Sequence, residues 1–155
     1  MEKLKKFTLE ELYIPPFTAR RVYDEEGRIN WVPVERKKNP TGYPHLDFIA
    51  NAMAEGLFDM KMIASFMDCS MDSFNGYLKT LTGMTAKTLR KEYMFRLADD
   101  LLRYTSMTAD EVAQRIGLSS SSSLSQQYKK YRHISVEMQR KLLRQERDEG
   151  RYRID

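Results

Sequence analysis

The sequence has one cysteine, two histidines and seven glycines in 155 residues, and each scarcity excludes a kind of chemistry. Cys69 alone builds no internal disulfide framework. His45 and His133 stand far apart, in no H-x-x-x-H spacing, so no metal-binding pair arises. The glycines at 27, 42, 56, 76, 83, 117 and 150 form no G-x-G-x-x-G, no phosphate-cradling loop followed by Lys-Ser/Thr, and no G-x-S-x-G elbow. No apolar run approaches the ~18 residues of a membrane helix. The basic start, Met1 to Lys6, is followed by no apolar stretch that would make it a signal peptide. These absences predict a cytoplasmic protein that is not an enzyme, takes no cofactor or metal ion and has no membrane partner.

What is present is a chain with 41% hydrophobic and 31% charged residues, enough for a modest core. The net charge of +4 is uneven: residues 104–155 carry ten Lys/Arg against seven Asp/Glu, and residues 47–103 carry seven against eight. A basic C-terminal third suits a polyanionic partner.

All five prolines lie within the first 44 residues. There, Thr8-Leu9-Glu10-Glu11 fits a capping box and predicts a short helix near 8–13, stopped by Ile14-Pro15-Pro16. Arg21-Val22-Tyr23 and Ile29 to Val32 flank Asp24-Glu25-Glu26-Gly27 and predict a small hairpin, with Trp31 and Tyr23 anchoring the segment. Residues 37–44 read as a turn-rich linker.

From Leu46 onward helical spacing dominates. Leu46, Ile49, Ala50, Met53 and Leu57 make one apolar stripe; Met60, Ile63, Ala64 and Met67 a second; Phe74, Tyr77, Leu78 and Leu81 a third. The longest helix is expected over about 85–104, with Leu89, Tyr93, Leu97 and Leu101 four residues apart. Thr108 caps a short helix through Ile116, the serines at 119–123 open another through Tyr131, and Ser135 caps a last basic helix carrying Met138, Leu142 and Leu143 inward. The methionines read as core fillers, and Cys69 as a small buried hydrophobe. Arg140, Lys141, Arg144 and Arg147 read as a solvated face.

The pattern repeats at an offset of 49 to 50 residues. Ile63-Ala64 with Met67 matches Val112-Ala113 with Ile116; Phe74, Leu78 and Lys79 match Leu124, Tyr128 and Lys129. Each copy is a helix, a tight turn and a second helix. Gly117 suits the turn because glycine tolerates positive φ, and Asp68 in the matching place is an acceptable substitute. A helix of about twenty residues spans roughly 30 Å. It would hold two recognition helices about one DNA turn (~34 Å) apart, so that a monomer suffices to read two adjacent major grooves.

Residues 46–144 resemble the paired helix-turn-helix domain of the AraC/XylS family of bacterial transcription regulators. The strongest stretch runs from Ala109-Asp110-Glu111-Val112-Ala113 through Ile116-Gly117-Leu118 and Leu124-Ser125-Gln126-Gln127-Tyr128 to Tyr131. Leu78-Lys79 through Thr82-Gly83-Met84-Thr85 resembles the end of the first unit. The resemblance implies an all-α fold of about seven helices, double-stranded DNA as partner and, as in many members, contact with RNA polymerase. The expected organisation is an N-terminal extension over 1–45, a first unit over about 46–84, a connecting helix over about 85–104, a second unit over about 108–147 and a polar tail over 149–155. Forty-six residues are too few for the large effector-binding domain many members carry, so the chain resembles the stand-alone ones.

The departures from the family pattern are informative. Where the family commonly has arginine in each recognition helix, this chain has Gly76 and Gln126; its glycine after the second recognition helix is His133, and its following proline is Val136. Glutamine prefers adenine, and glycine reads no base. The second unit is therefore expected to dominate. Ser121, Ser122, Ser125 and Gln126 are the base-edge candidates there, with Lys129, Lys130 and Arg132 on phosphates. Ser73, Asn75 and Lys79 are the groove-facing candidates of the first unit. The N–H groups that open each recognition helix are expected to be free for phosphate oxygens. Three roles stay open for residues 1–46: packing on the helices, pairing with a second chain through the hairpin edge, or inserting an arm at the DNA, and Arg20-Arg21 with Arg36-Lys37-Lys38 suit the last. A second reading, favoured by Gly76 and Asp72, makes the degenerate pair a protein–protein interaction module, for example toward RNA polymerase or another regulator.

Overall fold

A computed structural model describes residues 5–35 and 40–154. Arg36, Lys37, Lys38 and Asn39, which include half of the expected arm and the start of the expected linker, lie outside the described residues. In chain order the elements are α1 (Leu9–Leu12), β1 (Phe17–Tyr23), β2 (Ile29–Pro33), α2 (Pro44–Ala54), α3 (Met60–Phe66), α4 (Met71–Thr82), α5 (Ala86–Tyr104), α6 (Ala109–Arg115), α7 (Ser121–Arg132), α8 (Val136–Leu143) and β3 (Tyr152–Ile154). The fold is mostly helical but not strictly all-α, because the hairpin recruits β3 into a three-stranded antiparallel sheet of order β2-β1-β3. No alternation announces β3; it exists because the Arg21 N–H donates to the Arg151 carbonyl and aligns three residues against β1.

The chain divides into two compact units, the division falling inside α5 between Arg96 and Leu97. One holds the described residues of Met1–Ile14 and Lys37–Arg96, the other Pro15–Arg36 and Leu97–Asp155.

In the first unit the apolar stripes of α2, α3, α4 and early α5 meet: Leu46, Ile49, Ile63, Phe74, Leu78, Leu89 and Tyr93 are all fully buried. The N-terminal segment completes this core. The Thr8 capping box forms as its sequence dictates. Phe7 donates its N–H to Leu81 O at 2.7 Å, Tyr13 packs edge-on to Tyr93 at 5.2 Å, and Arg96 both pairs with Glu10 at 2.6 Å and lies over the Tyr13 ring. Phe7, Leu12 and Tyr13 are therefore the anchors, not Trp31 and Tyr23. Tyr23 is 46% exposed. Met53, Met60 and Met94 are buried as expected, but Met62 faces outward, and Cys69 is only half-buried, its Sγ near Ala64 O.

In the second unit Leu101, Leu102, Val112, Ala113, Leu124 and Tyr128 form the core, and Phe17 stacks on Tyr152 and meets Tyr104 edge-on. α8 is rotated from the expected phase. Met138 and Leu142 point outward, at 48% and 69% exposure. The inward stripe is Val136, Gln139, Arg140, Leu143 and Arg144. Arg140 donates to the carbonyls of Leu102, Thr105 and Met107, and Arg144 to those of Leu102, Arg103 and Thr105. The C-terminal carbonyls of α5 have no intrahelical donors, so two guanidiniums there satisfy buried acceptors and complement the helix dipole. That demand sets the helix phase.

α7 ends on His133 at φ +58°, a left-handed position that costs a non-glycine residue about 1 kcal/mol. His133→Gly is expected to raise the unfolding free energy by about that amount, measurable by denaturant titration.

Candidate nucleic-acid interface

Thr108 opens α6 with a full capping box, and Val112, Ala113 and Ile116 pin its inner face. Gly117 at φ +85° turns the chain, and Leu118 N–H closes the turn on Ala113 O at 2.8 Å. Ser120 then caps α7 by accepting from the Ser123 N–H. Leu124 and Tyr128 bury the inner stripe of α7. The Tyr128 hydroxyl donates to Asp99 of α5 at 2.7 Å, and the same carboxylate oxygen accepts from Gln139 of α8 at 3.1 Å. Burial first, and the Asp99 charge second, push the phenol pKa up, so this hydroxyl keeps its proton and donates. Asp99 thus ties α7 to α5 through Tyr128, and α8 to the same carboxylate through Gln139.

Of the remaining α7 residues, Ser122, Ser125, Gln126, Lys129, Lys130 and Arg132 are exposed. Ser122, Ser125, Gln126 and Lys129 fall at i, i+3, i+4 and i+7 and make one stripe, flanked by Lys130 and Arg132. α7 carries three basic residues in its last turns and no acid. Lys130 lies over the Tyr131 ring at 5.1 Å, and Arg132 donates to the Tyr131 carbonyl.

Ser121 differs from its neighbours. Its N–H donates to Asp110 Oδ1 at 2.8 Å, and the Ser121 N–H and hydroxyl together hold the Asp110 carboxyl below its usual range. Ser121 is half-buried and occupied by this contact. The expectation that the N–H groups opening α7 stand free is therefore corrected: Asp110 takes the first and Ser120 Oγ the third. Asp110 was missed because its partner lies eleven residues away, across a turn that no local pattern resolves.

The first unit repeats the plan with weaker chemistry. Asp59 caps α3, Asp68 turns the chain at φ +52°, and Ser70 caps α4 by accepting from the Ser73 N–H. Phe74 and Leu78 are buried; Asp72, Ser73, Gly76, Lys79 and Thr80 are exposed. Asn75, expected to face the groove, is half-buried and has its carbonyl oxygen engaged within the unit. Its Oδ1 accepts the Ala86 N–H at 2.8 Å and so caps α5. Ser73 and Lys79 remain outward, on either side of Gly76, and Asp72 cancels the lysine charge.

Gly76 sits mid-helix with ordinary φ, and a Cβ built there meets no heavy atom within 4 Å. Gly76→Ala is expected to stabilise the first unit by about 1 kcal/mol, read as a raised melting temperature.

Among the described residues, no His/Cys/Asp/Glu group is spaced to hold a metal ion, and no helix is long and apolar enough to cross a membrane.

A family model described as a helix-turn-helix domain matches residues 63–141, just over half of the chain. Three solved structures share the fold. The C-terminal domain of the two-component response regulator yesN from Fusobacterium nucleatum aligns with a TM-score of 0.54 at 21% identity, over 63% of this chain and 99% of that one. The xylose-binding transcription activator xylR aligns at 0.57 and 15% identity, over 76% of this chain and 33% of that one. The DNA-binding domain of AdpA, a global transcriptional factor solved in complex with a target DNA, aligns at 0.51 and 25% identity, over 64% and 91%. No curated protein matches the chain.

Proposed function

Because the chain belongs to the AraC-type helix-turn-helix family, we propose that it binds double-stranded DNA and regulates transcription, with α7 as the dominant recognition helix. The observation that carries this reading is the α7 stripe. Ser122, Ser125, Gln126 and Lys129 share one exposed face of a helix whose opposite face is locked by Leu124, Tyr128 and Asp99. A helix packed on its inner face, with short polar residues beside long cations on the outer one, fits a major groove, the short ones reaching base edges and the cations the phosphates. AdpA, solved on DNA, supports the same use of the fold.

In the fuller reading, α4 enters a second groove and contributes less. The 19 residues of α5 give a helix roughly 28 Å long, near the ~34 Å repeat of the duplex. Selection of bound duplexes from a random pool tests this directly. Two enriched blocks roughly ten base pairs apart support two reading helices; one block leaves α7 alone. No enrichment at all moves the assignment to a protein-binding module, the reading that exposed Asp72 and Gly76 on α4 favour.

Within the selected site, Gln126→Ala should relax preference at one position by a factor corresponding to about 1–3 kcal/mol. Lys129→Ala should weaken all sequences about equally. Equal losses on selected and random duplexes for Gln126→Ala would contradict its role.

A further inference from the structure

The outward face of the sheet carries a pattern that duplex binding through α7 does not use. Residues paired across antiparallel strands share a face, so Tyr23 opposite Ile29, and Arg21 opposite Trp31, lie together. Ala19 follows on the same face, opposite both Pro33 of β2 and Arg153 of β3. The small Ala19 side chain leaves Arg153 free to cross β1 and lie 4.1 Å from the Trp31 ring centre. On the opposite face Tyr152 packs on Phe17 and Tyr104, while Arg20 and Val32 toward β2 are exposed.

Arg147 joins this outward face from the segment before β3. Its guanidinium lies 5.5 Å from the Tyr23 ring, and Arg21 lies 5.4 Å from the same ring. Arg21 spends itself locally by donating to the carbonyls of Arg147 and Glu149. That contact holds Arg147 at φ +67°, a left-handed conformation which an arginine adopts only at a cost. The strained residue is exposed, and so are Tyr23 at 46% and Ile29 at 54%. Of the nearby acids, Asp24 and Glu26 pair with Arg28 and Glu149 with Arg144, while Glu25 in the turn and Glu146 are exposed.

Cations held beside the exposed Tyr23 ring and the half-buried Trp31 ring suit a polyanion that also presents flat apolar faces. A duplex hides its base faces, so its backbone would leave Tyr23 and Ile29 without a role. We propose that this sheet face binds single-stranded nucleic acid, with bases stacking on Tyr23 and Trp31 and phosphates pairing with Arg147 and Arg153.

Trp31 is the single tryptophan of the chain, so its fluorescence reports this face alone. The intact protein is titrated with oligothymidylate of about a dozen nucleotides. Trp31 emission should be quenched, with a midpoint that weakens as salt rises. Tyr23→Ala should weaken binding about tenfold, the loss of one stacked base. Arg147→Gly and Arg153→Ala should each weaken it several-fold. Arg147→Gly removes the unfavourable φ along with the charge, so lost binding with unchanged or raised melting temperature separates a ligand role from a structural one. Ala substitution of Lys129, Lys130 and Arg132 should leave the quenching intact, which keeps this test independent of the α7 reading. Absent quenching overturns the proposal. So does quenching unaffected by all three sheet-face variants, or lost with the α7 lysines. Tighter response to a duplex or to polyglutamate than to oligothymidylate overturns it as well.

Discussion

Replacing Lys129, Lys130 and Arg132 together by alanine is expected to flatten the salt dependence of duplex binding. Each phosphate contact contributes about 0.9 to the slope of log affinity against log salt, so three contacts contribute about 2.7. Between 50 and 200 mM salt the variant should lose roughly forty-fold less affinity than the parent chain, because it starts weaker and has fewer counterions to release. The folded state should barely notice. All three side chains are exposed, and the buried Leu124 and Tyr128 stripe is untouched. The stability cost is the loss of cations near the C-terminus of α7, about 1 kcal/mol at most. An unchanged slope with intact folding would place the polyanion contact elsewhere on the molecule.

Asp148→Asn is expected to produce the largest loss of stability, about 3 kcal/mol. The Asp148 side chain is 1% exposed. Its Oδ2 accepts from Arg103 Nε and from the Gln145 N–H, both at 2.8 Å, while Oδ1 faces Arg151 at 3.2 Å as an ion pair without hydrogen-bond geometry. Around it the chain turns back: Gly150 N–H reaches Tyr104 O, and Arg151 O accepts from Arg21 N–H to start β3. The carboxylate thus ties the end of α5 to the sheet. Burial works against its charge, but the Arg103 hydrogen bond, the Gln145 N–H and the two guanidinium charges outweigh burial and hold its pKa below the usual 3.8.

The pH dependence follows from that direction. On acidification the unfolded chain takes up this proton before the folded one does. The stabilisation is therefore whole above about pH 4, declines as pH falls toward the depressed value, and is gone below it. Denaturant unfolding of the parent and of Asp148→Asn between pH 7 and pH 3 should show two curves that converge at the acid end. Curves that stay parallel would mean that Asp148 contributes through shape and not through charge.

Much of this was legible in the residues. The capping box at Thr8, the serine and threonine caps of α4, α6, α7 and α8, and the apolar stripes of α2 to α7 are local patterns with local causes, and they appear where the spacing places them. The hairpin is equally local, its turn set by Asp24 accepting from the N–H groups of Glu26 and Arg28. The candidate site was legible in part. Ser122, Ser125, Gln126 and Lys129 needed only helical phase and a buried Leu124 to be read as one outward stripe. The contacts of Asn75 and Ser121 were not legible because each partner lies eleven residues away, and spacing on one helix says nothing about the neighbour across the turn.

By itself, then, the sequence determined the helices, their caps, the repeat and the outward stripe of α7, because each depends on interactions within about one helical turn. Tertiary structure decided the rest: which polar side chains are spent on the fold, the phase of α8, and the third strand. Those outcomes hang on unsatisfied carbonyls at the end of α5 and on one buried carboxylate, and such groups choose their partners by proximity in space, which an amphipathic pattern does not encode.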